Sequence, residues 1–147
     1  MVSAPTAATE PQRPVLRGTG VGLRVRWLGT VPYREAWTLQ QALHADLAAS
    51  GEDRLLLVEH PPTYTLGRNA DMSNVLVDPT AVGAELIEVD RGGDVTFHGP
   101  GQLVVYPILT LPTKGAAAGG LPDTPGYVAL LEQVLVDALS ELGLPHV

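Results

Sequence analysis

The chain contains no cysteine, one lysine (Lys114), one phenylalanine (Phe97) and two methionines in 147 residues. Without thiols it can form neither a disulfide nor a thiolate metal site, and it holds no thiol nucleophile. Nine Lys+Arg against sixteen Asp+Glu leave a formal charge of −7. That acidity argues against non-specific binding to nucleic acid or an anionic membrane, since phosphate neutralisation needs a basic surface. No apolar run approaches the ~20 residues that cross a bilayer, and no secretory h-region is present, so the expected compartment is the cytoplasm. The four histidines, His44, His60, His98 and His146, lack the His-x-x-x-His spacing of a helical zinc site. There is no Gly-x-Ser-x-Gly elbow and no P-loop, and Gly18, Gly20 and Gly22 precede a strand instead of following one. Neither metal nor cofactor is expected.

A hydrophobic content of 45% over this length supports one globular domain with a core of its own. Residues 1–20, rich in Pro, Ala, Thr and Arg, have no apolar periodicity and read as a disordered tail, with the domain running from 21 to 147. Val21 to Leu28 alternates, with Val25 and Trp27 on the face expected to be buried and Arg24 and Arg26 on the other. From Tyr33 to Ser50, Ala36, Leu39, Leu43 and Leu47 keep a helical period, and Gly51 is placed to end the helix. Leu55 to Val58 predicts a buried strand stopped by Pro61 and Pro62, and Tyr64 to Leu66 a second brief one. His60 and Arg68 fall at strand ends, where pocket residues often lie, with Arg68 favoured for ligand contact. Asn69 to Val82 is a connection with a short turn of helix. Thr113 to Asp123 is an Ala/Gly loop. Thr124 to Leu142 is an amphipathic helix whose apolar stripe is expected to be core. The fold class is α/β or α+β, a mixed sheet flanked by helices.

Four glycines in ten residues mark the segment from Arg91 to Gly101, set between Glu85 to Val89 on one side and the strand-like Gln102 to Leu109 on the other. Glycine takes positive φ at little cost and lets a ligand approach the backbone, so such a loop can present bare N–H groups to an oxygen. Arg91 and His98 add a fixed charge and a proton-carrying ring. The same pattern also describes a tight hairpin with solvated polar residues.

Arg91-Gly92-Gly93-Asp94-Val95-Thr96-Phe97-His98, followed by Gly99-Pro100-Gly101-Gln102 and Tyr106-Pro107-Ile108-Leu109, resembles the signature of the octanoyltransferases called lipoate-protein ligase B, of the biotin/lipoate protein ligase superfamily. Leu55 to Arg68, LLLVEHPPTYTLGR, is similar to a second block of that family. The likeness runs from about Leu23 to the last residue, and two ordered blocks are far more specific than a lone Gly-rich motif. The related ATP-dependent ligases share the fold, but the Gly-Pro-Gly-Gln after His98 matches the transferases better.

The resemblance implies an acyltransferase that moves octanoyl from acyl carrier protein to a lysine of a lipoyl domain, in 2-oxoacid dehydrogenase complexes or the glycine cleavage H protein, through a thioester on an enzyme cysteine. That cysteine, and the lysine that lowers its pKa, are expected beyond Val147. Leu144 to Val147 looks about to enter another strand, so the chain reads as an amino-terminal portion of the catalytic domain, truncated at its C-terminus and inactive by itself. Lys114 lies outside the family's lysine motif. Arg91 to His98, all eight residues, are expected to line the acyl pocket. Arg91 either holds the loop through Asp90 or Glu88 or meets the acidic carrier protein; His98 either polarises the acyl carbonyl or holds the loop. The alternative to an enzyme fragment is a protein without chemistry that binds acyl groups or partner domains.

Overall fold

The computed structural model describes residues 22–111 and 121–144. The proposed tail, Lys114 and most of the Ala/Gly loop lie outside them. Six strands and two long helices follow in the order β1 (Arg24–Thr30), α1 (Tyr33–Ser50), β2 (Arg54–Glu59), β3 (Thr63–Leu66), β4 (Glu85–Glu88), β5 (Val95–His98), β6 (Val104–Ile108) and α2 (Thr124–Glu141). They make a mixed α/β fold. The strands form two three-stranded sheets, ordered β1-β2-β6 and β4-β3-β5. Each is itself mixed: β2 runs parallel to β1 and antiparallel to β6, and β3 parallel to β4 and antiparallel to β5.

Helix α1 has the predicted limits and is the crossover that two parallel neighbours require. Its C-terminus is closed by Gly51, whose N–H donates to the Leu47 carbonyl. Alternation along β2 sends Arg54, Leu56, Val58 and then His60 toward the helix. The Arg54 guanidinium donates to the Leu43 carbonyl and to Asp46 of α1, while Leu56 and Val58 are buried with Ala36 of the helix and Ile108 of β6. In the second sheet the buried positions are Thr63, Thr65, Ile87 and Leu66. An ion pair of 2.8 Å between Arg34 and Glu85 ties it to α1.

Two expectations are overturned. Val25 and Trp27 are 46% and 40% exposed, because the pairing Val25 with Leu55 and Trp27 with Leu57 puts them on the side of the sheet away from α1. Strand β1 is also an edge strand, so only one neighbour shields it. The apolar stripe of α2 is not core: no residue of that helix is buried, and Leu130, Val134 and Leu135 are exposed. Among the described residues no strand or helix packs extensively on it, and only its first turn, at Tyr127, shares a cavity with Trp37 and Gln40 of α1 and Ile108 of β6.

The connection after β3 carries two single-turn helices, Met72–Asn74 and Pro79–Val82, each opened by an aspartate. Asp71 accepts the Ser73 N–H and Asp78 the Thr80 N–H. Such short polar side chains satisfy backbone donors that a turn leaves free.

Candidate functional site

Where the two sheets meet, four rings from four segments converge. Tyr33 opens α1, His60 follows β2, His98 ends β5 and Tyr106 lies in β6. The Tyr33 ring centroid is 5.1 Å from that of His60 and 5.8 Å from that of His98, with which it stacks at 24°. His60 sits 5.8 Å from His98 and 5.9 Å from Tyr106.

His60 is fully buried, so its two nitrogens must find partners. Nδ1 is 2.7 Å from the Val31 carbonyl oxygen and Nε2 is 2.9 Å from the Tyr106 hydroxyl. A carbonyl only accepts, so Nδ1 carries the proton; Nε2 of the neutral ring then accepts from the Tyr106 O–H. Burial holds the His60 pKa below its ordinary value, against the pull of the Val31 bond, and His98 nearby lowers it further. Burial likewise pushes the Tyr106 phenol far above its usual range. Tyr33 is raised for the same reason, with the Arg91 charge opposing. All three groups are therefore neutral at physiological pH.

The Gly-rich loop docks beside this cluster on the end of β3. Gly67 N–H donates to the Asp94 carbonyl, Arg68 N–H to that of Arg91 and Asn69 N–H to that of Gly93. The approach is so close that a Cβ on Gly67 would meet the Gly92 and Gly93 carbonyl oxygens. Gly93 has φ +85°, the left-handed region expected of this loop. Among the described residues the N–H groups of Gly92 and Gly93 have no acceptor.

Arg91 braces the loop from within. One terminal nitrogen, Nη2, donates to the Thr65 carbonyl (3.0 Å), Thr65 Oγ1 (2.8 Å) and Thr96 Oγ1 (2.8 Å), and Nη1 donates to the Gly92 carbonyl. Neither Asp90 nor Glu88, the anchors in one of the two alternatives open for Arg91, is its partner. Neutral oxygens suffice because a guanidinium offers five donors in a fixed fork. Its charge has no carboxylate partner among the described residues. Asp94 turns the other way: it accepts from the Asp71 backbone N–H and the Asn74 amide, tying the loop to the first single-turn helix. The Asp71 bond in particular holds the Asp94 carboxyl below its ordinary pKa.

The eight predicted residues thus separate. Thr96 and His98 alternate onto the face of β5 that carries Thr65 and Thr63, whereas Val95 and Phe97 point to the opposite face, where Phe97 meets Tyr64 at 5.0 Å. Arg68, favoured for ligand contact, is exposed and anchors the loop through its backbone. His60, the lesser candidate, is inside the cluster. Tyr33 and Tyr106 were not anticipated.

Residues 32–147 match the lipoyl protein ligase A/B catalytic domain. The chain belongs to that family. Relatives within it include proteins named octanoyltransferase from Syntrophotalea carbinolica, 45% identical over 83% of this chain and 54% of the relative, and from Geobacter sulfurreducens, 50% identical over 80% of this chain and 46% of the relative. That of Gloeobacter violaceus is 48% identical over 79% of this chain and 50% of its own length. The chain spans about half the length of the curated relatives it matches. Among the described residues of this lipoyl protein ligase A/B domain, no helix is long and apolar enough to cross a membrane and no cluster of His, Cys, Asp and Glu is arranged to hold a metal.

Proposed function

We propose that this chain supplies the acyl-binding part of an octanoyltransferase, a cytoplasmic enzyme that moves octanoyl from acyl carrier protein to a lysine of lipoyl domains in 2-oxoacid dehydrogenase complexes or the glycine cleavage H protein. One observation carries the reading: two free backbone donors, Gly92 and Gly93 N–H, stand on a loop fixed from both sides by Arg91 and Asp94. The name shared by its relatives supports it.

Acyl transfer builds negative charge on the carbonyl oxygen. Donors held in place beforehand stabilise that charge without reorganising during the reaction. Arg91 adds a positive charge at the same loop, held with one terminal nitrogen on Thr65 and Thr96 and the other on the Gly92 carbonyl. The thioester step itself needs a thiol, and this sequence has none. With octanoyl-acyl carrier protein, the chain is therefore expected to bind without becoming acylated. That absence also favours the second reading, a binding protein without chemistry.

The test is titration of the chain with S-octanoyl-pantetheine by calorimetry, with denatured mass recorded afterwards. Saturable binding and an unchanged mass are expected. Gly93→Val should lose binding, because a side chain is strained at φ +85° and its Cβ would lie 3.3 Å from Arg91 Nη1, while circular dichroism stays the same. A Gly93→Val protein that is folded and binds normally would take the loop out of the site. A stable octanoyl adduct would overturn the assignment of nucleophilic chemistry to residues outside this sequence.

A further inference from the structure

We propose that His98 is the hydrogen-bond and proton acceptor for the lysine amine that receives the acyl group. The inference rests on the acyl-transfer reading and assigns a role within that site.

The tautomer follows from one hydrogen-bonded chain. The Phe97 carbonyl can only accept, so the group of Gln102 that approaches it at 3.4 Å is the amide Nε2. That turns Gln102 Oε1 toward His98, where it lies 2.8 Å from Nδ1. An amide oxygen also only accepts, so Nδ1 carries the proton and Nε2 of the neutral ring keeps its lone pair. Nε2 has no partner among the described residues, and no polar side-chain atom is left buried without one. It therefore faces solvent. Tyr33, stacked at 5.8 Å, holds the plane of the ring.

This lone pair suits one reactant and not the other. A thioester carbonyl has no proton to give, so a bare Nε2 lone pair finds no partner on it; the Gly92 and Gly93 N–H groups are the donors for that oxygen. An amine has N–H bonds to offer. As the neutral amine attacks, its nitrogen bonds to the acyl carbon, the C–S bond breaks and its electron pair goes to sulfur. The surplus N–H proton passes to Nε2, giving an imidazolium that keeps its Nδ1–H on Gln102. The proton then goes to the departing thiolate and the ring is neutral again. The titratable groups against the ring are Tyr33 of α1 and His60 after β2, each 5.8 Å away; Arg91 and Asp90 act on the Tyr33 phenol, and Glu59 accepts the Gly101 N–H at 3.0 Å.

The test uses the chain itself. In 15N NMR with labelled histidine, assigned through His98→Ala, the neutral His98 ring should carry its proton on Nδ1, and Gln102→Ala should shift it toward Nε2. A wild-type ring protonated at Nε2 overturns the proposal. Binding is then compared for Nε-octanoyl-lysine methyl ester and its isostere with an ester oxygen in place of the amide N–H. The amide should bind about fivefold tighter, the usual worth of one well-placed hydrogen bond, and His98→Ala should erase that preference while still binding octanoyl. Equal affinities in the wild type overturn the role of His98 alone. Failure of both compounds to bind overturns the acyl-binding reading, and the role of His98 with it.

Discussion

The two sheets bury different chemistry. Against α1, the first sheet buries Leu56, Val58 and Ile108; at the middle of the second, Thr63 and Thr65 are 1% and 0% exposed, with Ile87 as their apolar neighbour. The first is held by removal of apolar surface from water, which has no direction. The second is held by hydrogen bonds, which do: Thr65 receives Arg91, and Thr63 donates to the Pro61 carbonyl. A functional loop needs direction, and the polar sheet is the one to which the Gly-rich loop is fastened. The apolar sheet fixes where that assembly sits by carrying His60 and Tyr106 to the seam.

The comparison is most easily broken at Leu56. Leu56→Ala should destabilise the chain by about 2 to 5 kcal/mol, the range for large-to-small changes at a site that cannot collapse, measured by urea denaturation. A loss under ~1 kcal/mol would mean that the first sheet is not held by its apolar face. Next comes Gly67→Ala, where the new methyl group would meet backbone carbonyls of the loop. Overpacking of this kind costs about 1 to 3 kcal/mol, but the expected signature is local. Amide exchange should speed up at Gly92 to Asp94 and remain slow at Leu56 and Val58, whereas uniform loss of protection would show that the loop and the first sheet unfold as one.

Much of this division could be read from the residues, and the failures have a common cause. Helix α1 was legible because Ala36, Leu39, Leu43 and Leu47 report their own geometry, and the positive φ of Gly93 because the Arg-Gly-Gly-Asp run needs one. The tie from Gly67 to the loop was not, since Gly67 reads as the end of a strand until the carbonyls of Gly92 and Gly93 are brought against it. Tyr33, His60, His98 and Tyr106 are brought together only by tertiary structure. One signal was available: alternation through Arg54, Leu56 and Val58 continues to His60 and places it on the helix side. The same alternation failed for Val25 and Trp27, because periodicity shows that a strand has two faces and does not say which one is covered. For α2 it was right about the stripe and wrong about its burial.

Thr65→Val sharpens the comparison from the polar side. The shape is kept and one hydroxyl is lost, while Arg91 Nη2 retains the Thr65 carbonyl and Thr96 Oγ1. A cost of about 1 kcal/mol is expected, with faster amide exchange at Gly92 and Gly93. If the valine instead raises stability and leaves the loop protected, the second sheet is held by packing like the first.

The smallest effect expected is a pH dependence, and it belongs to the seam. His60 has a folded pKa below its unfolded value, mainly through burial, so between those two values the unfolded chain binds more protons. Stability then rises with pH across that window. The contribution is fully present above the unfolded value, near 6.5 for histidine, and is lost as pH falls through the folded one. Asp71, Asp78 and Asp94, each lowered by hydrogen bonds to its carboxylate, act in a separate and more acidic window, below about pH 4. The urea midpoint should therefore decline modestly as pH is lowered from 7 toward 5. In His60→Gln, where an amide can still bond both the Val31 carbonyl and Tyr106 but cannot titrate, that decline should flatten. The same slope in both proteins would place the titrating group elsewhere.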